Sequence, residues 1–200
     1  MAESERPVFF FDFGSPYAYL AAERIASVFE AARAERPEWQ PLLLGGLFRR
    51  FGRDSWANGP DREQGMREIE RRASAYGLPP IRWPDPFPAN TLFAMRVATF
   101  AKEIGRTVSF SLAAFRQAFA AGRDLSEPDN VLVAAASSEL HPRALETAVT
   151  RDPIKQRLRE VTERAGDQGV IGVPSVVVGE RVFWGDDHLE EAAEAARQSL

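Results

Sequence analysis

The sequence of 200 residues contains no cysteine. Without a thiol the chain cannot form a disulfide, bind a metal through thiolates, use a cysteine nucleophile or perform dithiol redox chemistry. Histidine is almost as scarce, since His141 and His188 are the two present. A multi-histidine metal site is therefore also excluded, and we expect no metal ion.

Long hydrophobic runs are lacking too. Residues 131–136 form one of the longest, far short of the about 20 residues that a membrane-spanning helix needs. Residues 1–7 are acidic and polar, unlike the basic and then apolar start of a signal peptide. The 25 lysines and arginines are outnumbered by 29 acidic residues, which gives a net charge of −4. We expect a cytoplasmic protein that binds neither membranes nor nucleic acid.

The composition that remains is that of an ordinary folded domain, with 44% hydrophobic and 27% charged residues. Residues 8–13, VFFFDF, predict a buried strand. Ser15 then stands where a helix N-cap belongs, and Pro16 at the first helical position, where its missing N–H costs nothing. Together they predict a helix over residues 17–34.

A second strand is predicted at residues 40–44, ended by Gly45 and Gly46. The pattern from there to residue 165 is helical, apart from a stiff proline-rich loop at residues 82–89. Within it the sequence predicts helices at residues 61–76, 90–103, 109–121 and 128–138, and one or two more within 141–164.

The last part of the chain returns to β-structure. Residues 175–178 and 181–184 are β-branched or aromatic, and the Gly179-Glu180 pair between them indicates a hairpin. A final helix is predicted over residues 189–197. Neither end of the chain has enough strands for a sheet of its own, so we expect all strands to share one sheet.

This element order predicts an α/β protein with a thioredoxin-like fold and a large all-helical insertion. The thioredoxin-like domain is expected to be discontinuous, comprising residues 1–46 and 166–200, and residues 47–165 form the insertion. A helix over residues 152–165 fits either part. In the thioredoxin fold the functional residue lies at the turn after the first strand, which is Ser15 here. A proline precedes the third strand, and this is Pro174 here.

Several motifs resemble a known group, in the same order and over nearly the whole chain. Residues 12–20 (DFGSPYAYL), 169–175 (GVIGVPS) and 183–187 (FWGDD) are similar to motifs of 2-hydroxychromene-2-carboxylate isomerases and kappa-class glutathione transferases. Those proteins have DsbA-like thioredoxin folds with a helical insertion. The resemblance implies glutathione as cofactor, a small aromatic substrate and a homodimer.

Serine at the start of the first helix suits such a role. Its hydroxyl cannot exchange disulfides, but it can donate a hydrogen bond to a bound thiolate, which is worth about 1.5–3 kcal/mol. The resemblance also implies that the Val173 backbone beside Pro174 pairs with the cysteinyl part of glutathione, and that Asp186 and Asp187 hold its γ-glutamyl end.

The resemblance further suggests a place for the substrate. Asn58 matches an asparagine beside the family's pocket, and Arg62 stands near the position of a family lysine. The isomerases commonly carry arginine where this chain has His188. The residues expected to line the substrate pocket are Phe13, Tyr17, Trp56, Arg62 and Trp83.

Simpler interpretations stay open. Ser15 is equally an ordinary N-cap, Pro174 an ordinary strand-entry proline, and Asp186 and Asp187 a cap and a first-turn acid. Phe13 and Trp83 also fit a core. We expect a glutathione-dependent isomerase that acts on intermediates of aromatic degradation through a transient glutathione adduct. The alternatives are a kappa-class-like glutathione transferase and a non-catalytic DsbA-like binding protein.

Overall fold

A computed structural model describes residues 6–141, 145 and 149–199. The strands are β1 (Val8–Phe11), β2 (Glu38–Pro41), β3 (Ser175–Val178) and β4 (Arg181–Trp184). Short 3₁₀ helices occupy Trp56–Asn58 and Asp186–His188. The longer helices are α1 (Pro16–Ala31), α2 (Leu44–Phe51), α3 (Arg62–Ala75), α4 (Leu92–Glu103), α5 (Thr107–Phe119), α6 (Pro128–Ala136), α7 (Asp152–Asp167) and α8 (Leu189–Gln198).

The strands form one mixed sheet in the order β2-β1-β3-β4. β1 runs parallel to β2 and antiparallel to β3, and β3 and β4 form the hairpin. The expectation that strands from both ends of the chain share a sheet is confirmed, and so is the thioredoxin-like fold with its large helical component.

The sheet buries both of its faces, because successive side chains of a strand point to opposite sides. Phe9 and Phe11 pack into the larger hydrophobic cluster, which includes α1, α5 and α8. Phe10 packs on the other face with Leu47 of α2 and Val161 of α7. This two-sided burial explains why β1 reads as a continuous apolar run rather than an alternating one.

The second strand lies earlier than predicted, at Glu38–Pro41 instead of residues 40–44. Gly45 and Gly46 do not end a strand; they lie in the first turn of α2. A Cβ on Gly46 would come within 2.8 Å of Cγ2 of Thr162 on α7. The glycine therefore permits close helix packing, a tertiary requirement that the local pattern does not reveal.

The first strand also ends sooner than predicted, at Phe11. Oδ1 of Asp12 accepts a hydrogen bond from the Gly14 N–H at 2.9 Å, which turns the chain away from the sheet.

The remaining helices agree with the sequence-based prediction to within about two residues at most ends. Of the stretch 141–164, residues 142–144 and 146–148 lie outside the described part, and α7 occupies its end. α7 packs against α2 and α4. The division into two domains stays a prediction. None of the described helices is long and apolar enough to cross a membrane.

Candidate functional site

A cavity of about 490 Å³ opens at the N-terminus of α1. It brings together segments that are distant in sequence: the β1–α1 turn, residues 53–56, the residues before β3 and the turn after β4. Of the site residues predicted from the sequence, its lining includes Ser15, Tyr17, Trp56, Val173, Pro174, Asp186 and Asp187.

Ser15 connects two of the predicted motifs. Its Oγ accepts a hydrogen bond from the Ala18 N–H at 3.2 Å, so it does cap α1. The same hydroxyl donates to the Val173 carbonyl at 3.2 Å. The residue is 5% exposed. The simpler interpretation of Ser15, as the N-cap of α1, is thus confirmed, and this capping bond holds the hydroxyl at the cavity wall.

The segment before β3 presents backbone groups to the cavity. The Val173-Pro174 peptide bond is cis. The Pro174 carbonyl accepts a hydrogen bond from the Gly185 N–H at 2.9 Å, which fixes the segment to the turn after β4. The Val173 N–H has no acceptor within residues 6–141, 145 and 149–199. It is a free backbone donor beside Ser15.

The two adjacent aspartates differ in their surroundings. The Asp186 side chain is 1% exposed, with Oδ1 accepting from Arg72 at 2.8 Å and Oδ2 from the Tyr76 hydroxyl at 2.9 Å. Burial raises the pKa of Asp186 above its ordinary value of 3.8, and the hydrogen bond from Tyr76 and the charge of Arg72 oppose this shift. Asp187 is 54% exposed and lies 3.4 Å from Arg72.

Aromatic rings form the side of the cavity that faces α3. The ring centroids of Tyr17 and Trp56 are 6.3 Å apart, and those of Trp56 and Phe87 are 5.9 Å apart. Burial raises the pKa of the Tyr17 hydroxyl above 10.0, so it stays protonated at neutral pH. This wall combines flat apolar surfaces with one phenolic donor.

Four predicted residues do not line this cavity. Phe13 is 1% exposed and packs edge-on against Phe115 in the core, with ring centroids 4.9 Å apart. Asn58 is exposed and its amide donates to Asp54 at 3.0 Å. Their expected places in the cavity are corrected, since burial holds the first away from it and a local hydrogen bond holds the second.

Arg62 and Trp83 support the wall from behind. Arg62 donates to the carbonyls of Ala57 and Phe87 and so connects the two loops that carry Trp56 and Phe87. Trp83 packs on Phe87 with ring centroids 4.7 Å apart, while its indole N–H donates to Glu70. The expectation that they touch a substrate is therefore replaced by a supporting position.

The sequence-based prediction missed several cavity residues. Arg72 forms an ion pair at 2.7 Å with Glu68, four residues away on α3, but its contact with Asp186 spans 114 positions. Arg53 donates to the Ile171 carbonyl and lies 4.9 Å from the Trp184 ring centroid. Trp184 is itself part of the FWGDD motif, so the sequence carried a signal for it; nothing in the sequence signals the contacts of Arg53.

Asp12 ties the site to the rest of the fold. Its buried carboxyl accepts hydrogen bonds from the Gly14 N–H, the Leu44 N–H and the Thr91 hydroxyl, at 2.8–2.9 Å. It thereby connects the β1–α1 turn to the first residues of α2 and to the residue before α4. Burial raises the pKa of Asp12 above 3.8 despite these three donors.

This fold, with a capped helix start beside a cis-proline, is that of the thioredoxin class. The model of the DSBA-like thioredoxin domain matches residues 8–197, and the chain belongs to that family. It is 27% identical, over 190 residues, to a 2-hydroxychromene-2-carboxylate isomerase from Sphingobium xenophagum, covering 91% of this chain and 93% of the relative. The resemblance found in the sequence is thereby confirmed.

Solved structures agree on the fold. A selenomethionine structure of 2-hydroxychromene-2-carboxylate isomerase superposes with a TM-score of 0.83 at 19% identity, covering 94% of this chain and 93% of the other. A probable DsbA oxidoreductase from Streptomyces coelicolor superposes with a TM-score of 0.73 at 20% identity, covering 97% and 89%.

Proposed function

We propose that this protein is a glutathione-dependent isomerase that acts on small aromatic intermediates of aromatic degradation, as its isomerase relative does on a chromene carboxylate. The observation that carries the proposal is the Ser15 hydroxyl, which lies at the start of α1 on the wall of a cavity of about 490 Å³. Similarity to an isomerase over most of the chain supports the reaction class. A cytoplasmic location and a homodimer remain predictions.

The residues present fit glutathione at this cavity. The free Val173 N–H offers a backbone donor to the cysteinyl carbonyl, in the manner of an added strand. Asp187 is exposed enough to accept the γ-glutamyl ammonium. Asp186 already accepts from Arg72 and Tyr76 with both oxygens, so its part is to hold the turn rather than to bind the ligand directly.

When bound, glutathione supplies a thiolate nucleophile for a conjugated carbon of the substrate. Ser15 stabilises that anion by turning its hydroxyl hydrogen from the Val173 carbonyl toward the sulfur. A hydrogen bond to an ion contributes about 1.5–3 kcal/mol, and the helix end adds about 0.3–1 kcal/mol. At about 1.36 kcal/mol per pKa unit, the two lower the pKa of a bound thiol by about one to three units.

The aromatic wall suits the other reactant. Tyr17, Trp56 and Phe87 present ring faces and edges to a planar substrate, and the Tyr17 hydroxyl can donate to one of its oxygens. Arg53 adds a cation at the rim for a carboxylate. These groups orient the substrate against the sulfur without taking part in bond changes.

The test is interconversion of the chromene carboxylate and its open-chain isomer, with and without glutathione. Turnover should require glutathione, and Ser15→Ala should lower kcat/KM by about 10- to 100-fold, the equivalent of one ionic hydrogen bond. Ser55→Ala is the matched control, because Ser55 also caps a short helix on the same cavity, accepting from the Ala57 N–H. Equal activity of wild type and Ser15→Ala would refute the mechanism.

Two other functions are separated by simple measurements. A kappa-class-like transferase would consume glutathione stoichiometrically with an aromatic electrophile, whereas an isomerase regenerates it. A non-catalytic binding protein would give no heat with glutathione but would bind an extended peptide along the Pro174 edge. A DsbA variant from Proteus mirabilis with a non-covalently bound peptide, 16% identical here, shows that the fold can hold one.

A further inference from the structure

A second cavity, of about 850 Å³, lies on the other side of the β1–α1 turn. Its walls come from α2, α4 and α7. Asp12 also lines it and accepts hydrogen bonds from Gly14 and Leu44, which line the cavity at Ser15. Each of these three helices contributes an arginine to the lining: Arg49 from α2, Arg96 from α4 and Arg159 from α7.

The charge of this cavity contrasts with that of the chain, whose net charge is −4. Within the described part of the chain, Arg49, Arg96 and Arg159 have no acidic partner. Two further cations of the lining are paired outward, Arg50 with Asp167 at 2.7 Å and Lys155 with Asp152 at 3.2 Å. Arginines without acidic partners, one from each of three helices, therefore line one cavity of a chain whose net charge is negative.

The carboxyl groups of Asp12 and Glu163 also line the cavity, against five cations, those of Arg49, Arg50, Arg96, Lys155 and Arg159. Asp12 is saturated by its three donors. The Glu163 carboxylate forms no ion pair within the described residues, and the partner of Arg50 on this residue is its backbone carbonyl. The lining thus keeps a positive excess.

Two donors of the lining lack acceptors within residues 6–141, 145 and 149–199. Nε of Arg96 is buried without a hydrogen-bond partner. The Gly45 N–H, in the first turn of α2, has none either, and this residue is exposed. A buried donor without a partner, such as Nε of Arg96, is energetically costly and usually marks an absent ligand or water. The helix start adds a favourable potential for an anion.

We infer that this cavity binds a small organic anion that carries two or more phosphate or carboxylate groups. Guanidinium groups bind both kinds of oxyanion through paired hydrogen bonds, and three of them from separate helices require more than one such group. The volume suits a metabolite rather than a single inorganic ion. The site is distinct from the proposed glutathione site and does not depend on it.

The test is calorimetric titration with pyrophosphate and, separately, citrate, at low ionic strength and without glutathione. Arg159→Gln and Arg96→Gln should each weaken binding at least about tenfold, since each removes a charged hydrogen-bonding partner. Arg164→Gln is the matched control, because Arg164 is an exposed arginine on α7 that lies outside the cavity lining. Arg159 is exposed, so its variant should fold even if Arg96→Gln does not.

Binding of pyrophosphate alone would assign a phosphate ligand, and binding of citrate alone a polycarboxylate. The inference is overturned if neither probe binds saturably, or if Arg164→Gln weakens binding as much as Arg159→Gln does. Loss of isomerase activity in Ser15→Ala has no bearing on either result, so the two proposals fail independently.

Discussion

The two walls of the Ser15 cavity are built in different ways. The wall at the end of the sheet consists of Ser15, Val173 and the turn at Asp186. Its polar groups are the Ser15 hydroxyl, which caps α1, the Val173 N–H, and the Asp186 carboxylate, whose two oxygens already accept hydrogen bonds. The opposite wall consists of aromatic rings, Trp56 on a short 3₁₀ helix and Phe87 on a loop, supported by Arg62. The first wall holds a few polar groups in fixed positions, whereas the second offers an apolar aromatic surface.

This difference suggests a division of labour. Groups that must stabilise a charge have to be held in place, and the sheet-end wall holds them through contacts between positions 15, 72, 173 and 186. Groups that recognise a flat apolar molecule need area more than exact placement, so short helical turns and loops suffice. Three measurements can test whether the two walls differ in this way.

The largest effect is expected at the sheet-end wall, where the adjacent residues Asp186 and Asp187 allow a matched comparison of two alanine variants. Asp186→Ala leaves the buried side of Arg72 and the Tyr76 hydroxyl without their partner and should destabilise the fold by about 3–5 kcal/mol. Asp187→Ala removes a half-exposed side chain and should change stability by less than about 0.5 kcal/mol. Urea denaturation measures both, and equal losses would contradict the assignment of different roles.

A smaller effect is expected at the aromatic wall. Trp56→Ala removes a ring that contacts Tyr17 and Phe87, and should lower kcat/KM for the aromatic substrate by about tenfold, the equivalent of about 1.4 kcal/mol. The affinity for glutathione, measured by calorimetry, should stay within about twofold. A comparable loss of glutathione affinity would show that the two walls do not act separately.

The smallest effect concerns Asp12, which ties the sheet-end wall to α2 and α4. Burial raises its pKa above 3.8, so the folded state holds the proton to a higher pH than the unfolded chain does. Stability from this group is therefore greatest when it is protonated and falls as pH rises from 3.8 through the raised pKa. Relative to Asp12→Asn, the wild type should lose stability as the pH rises above 3.8, measured by urea denaturation; an opposite slope would contradict the direction of the shift.

Much of the fold could be predicted because its signals are local. Ser15-Pro16 predicted the start of α1, and Gly179-Glu180 predicted the hairpin, since capping and turn chemistry act between near neighbours. The predicted bounds of the second strand were wrong because Gly46 is not a strand-ending turn residue. It is a glycine that permits α2 to pack closely against Thr162 of α7, a contact between residues far apart in sequence.

The candidate site was predicted in part for the same reason. Motifs identified Ser15, Val173 and the aspartates, all of which lie at the cavity. They did not distinguish a residue on the wall from one behind it: Phe13 turned into the core and Arg62 toward two backbone carbonyls. Whether such a side chain lines the cavity or lies behind its wall depends on how neighbouring side chains pack, and the spacing of residues in the sequence does not reveal that packing.

Composition and local capping are properties of short stretches of chain. The excluded chemistry, the order of elements and the serine at the start of the first helix could therefore be read from the amino-acid sequence alone. The folded arrangement was needed to show that both oxygens of Asp186 are occupied by Arg72 and Tyr76 and that, within the described residues, the Val173 N–H is free. It was also needed to show that three arginines line a second cavity. Those contacts join residues far apart in sequence, and their energies arise only when packing brings them together and removes the water between them.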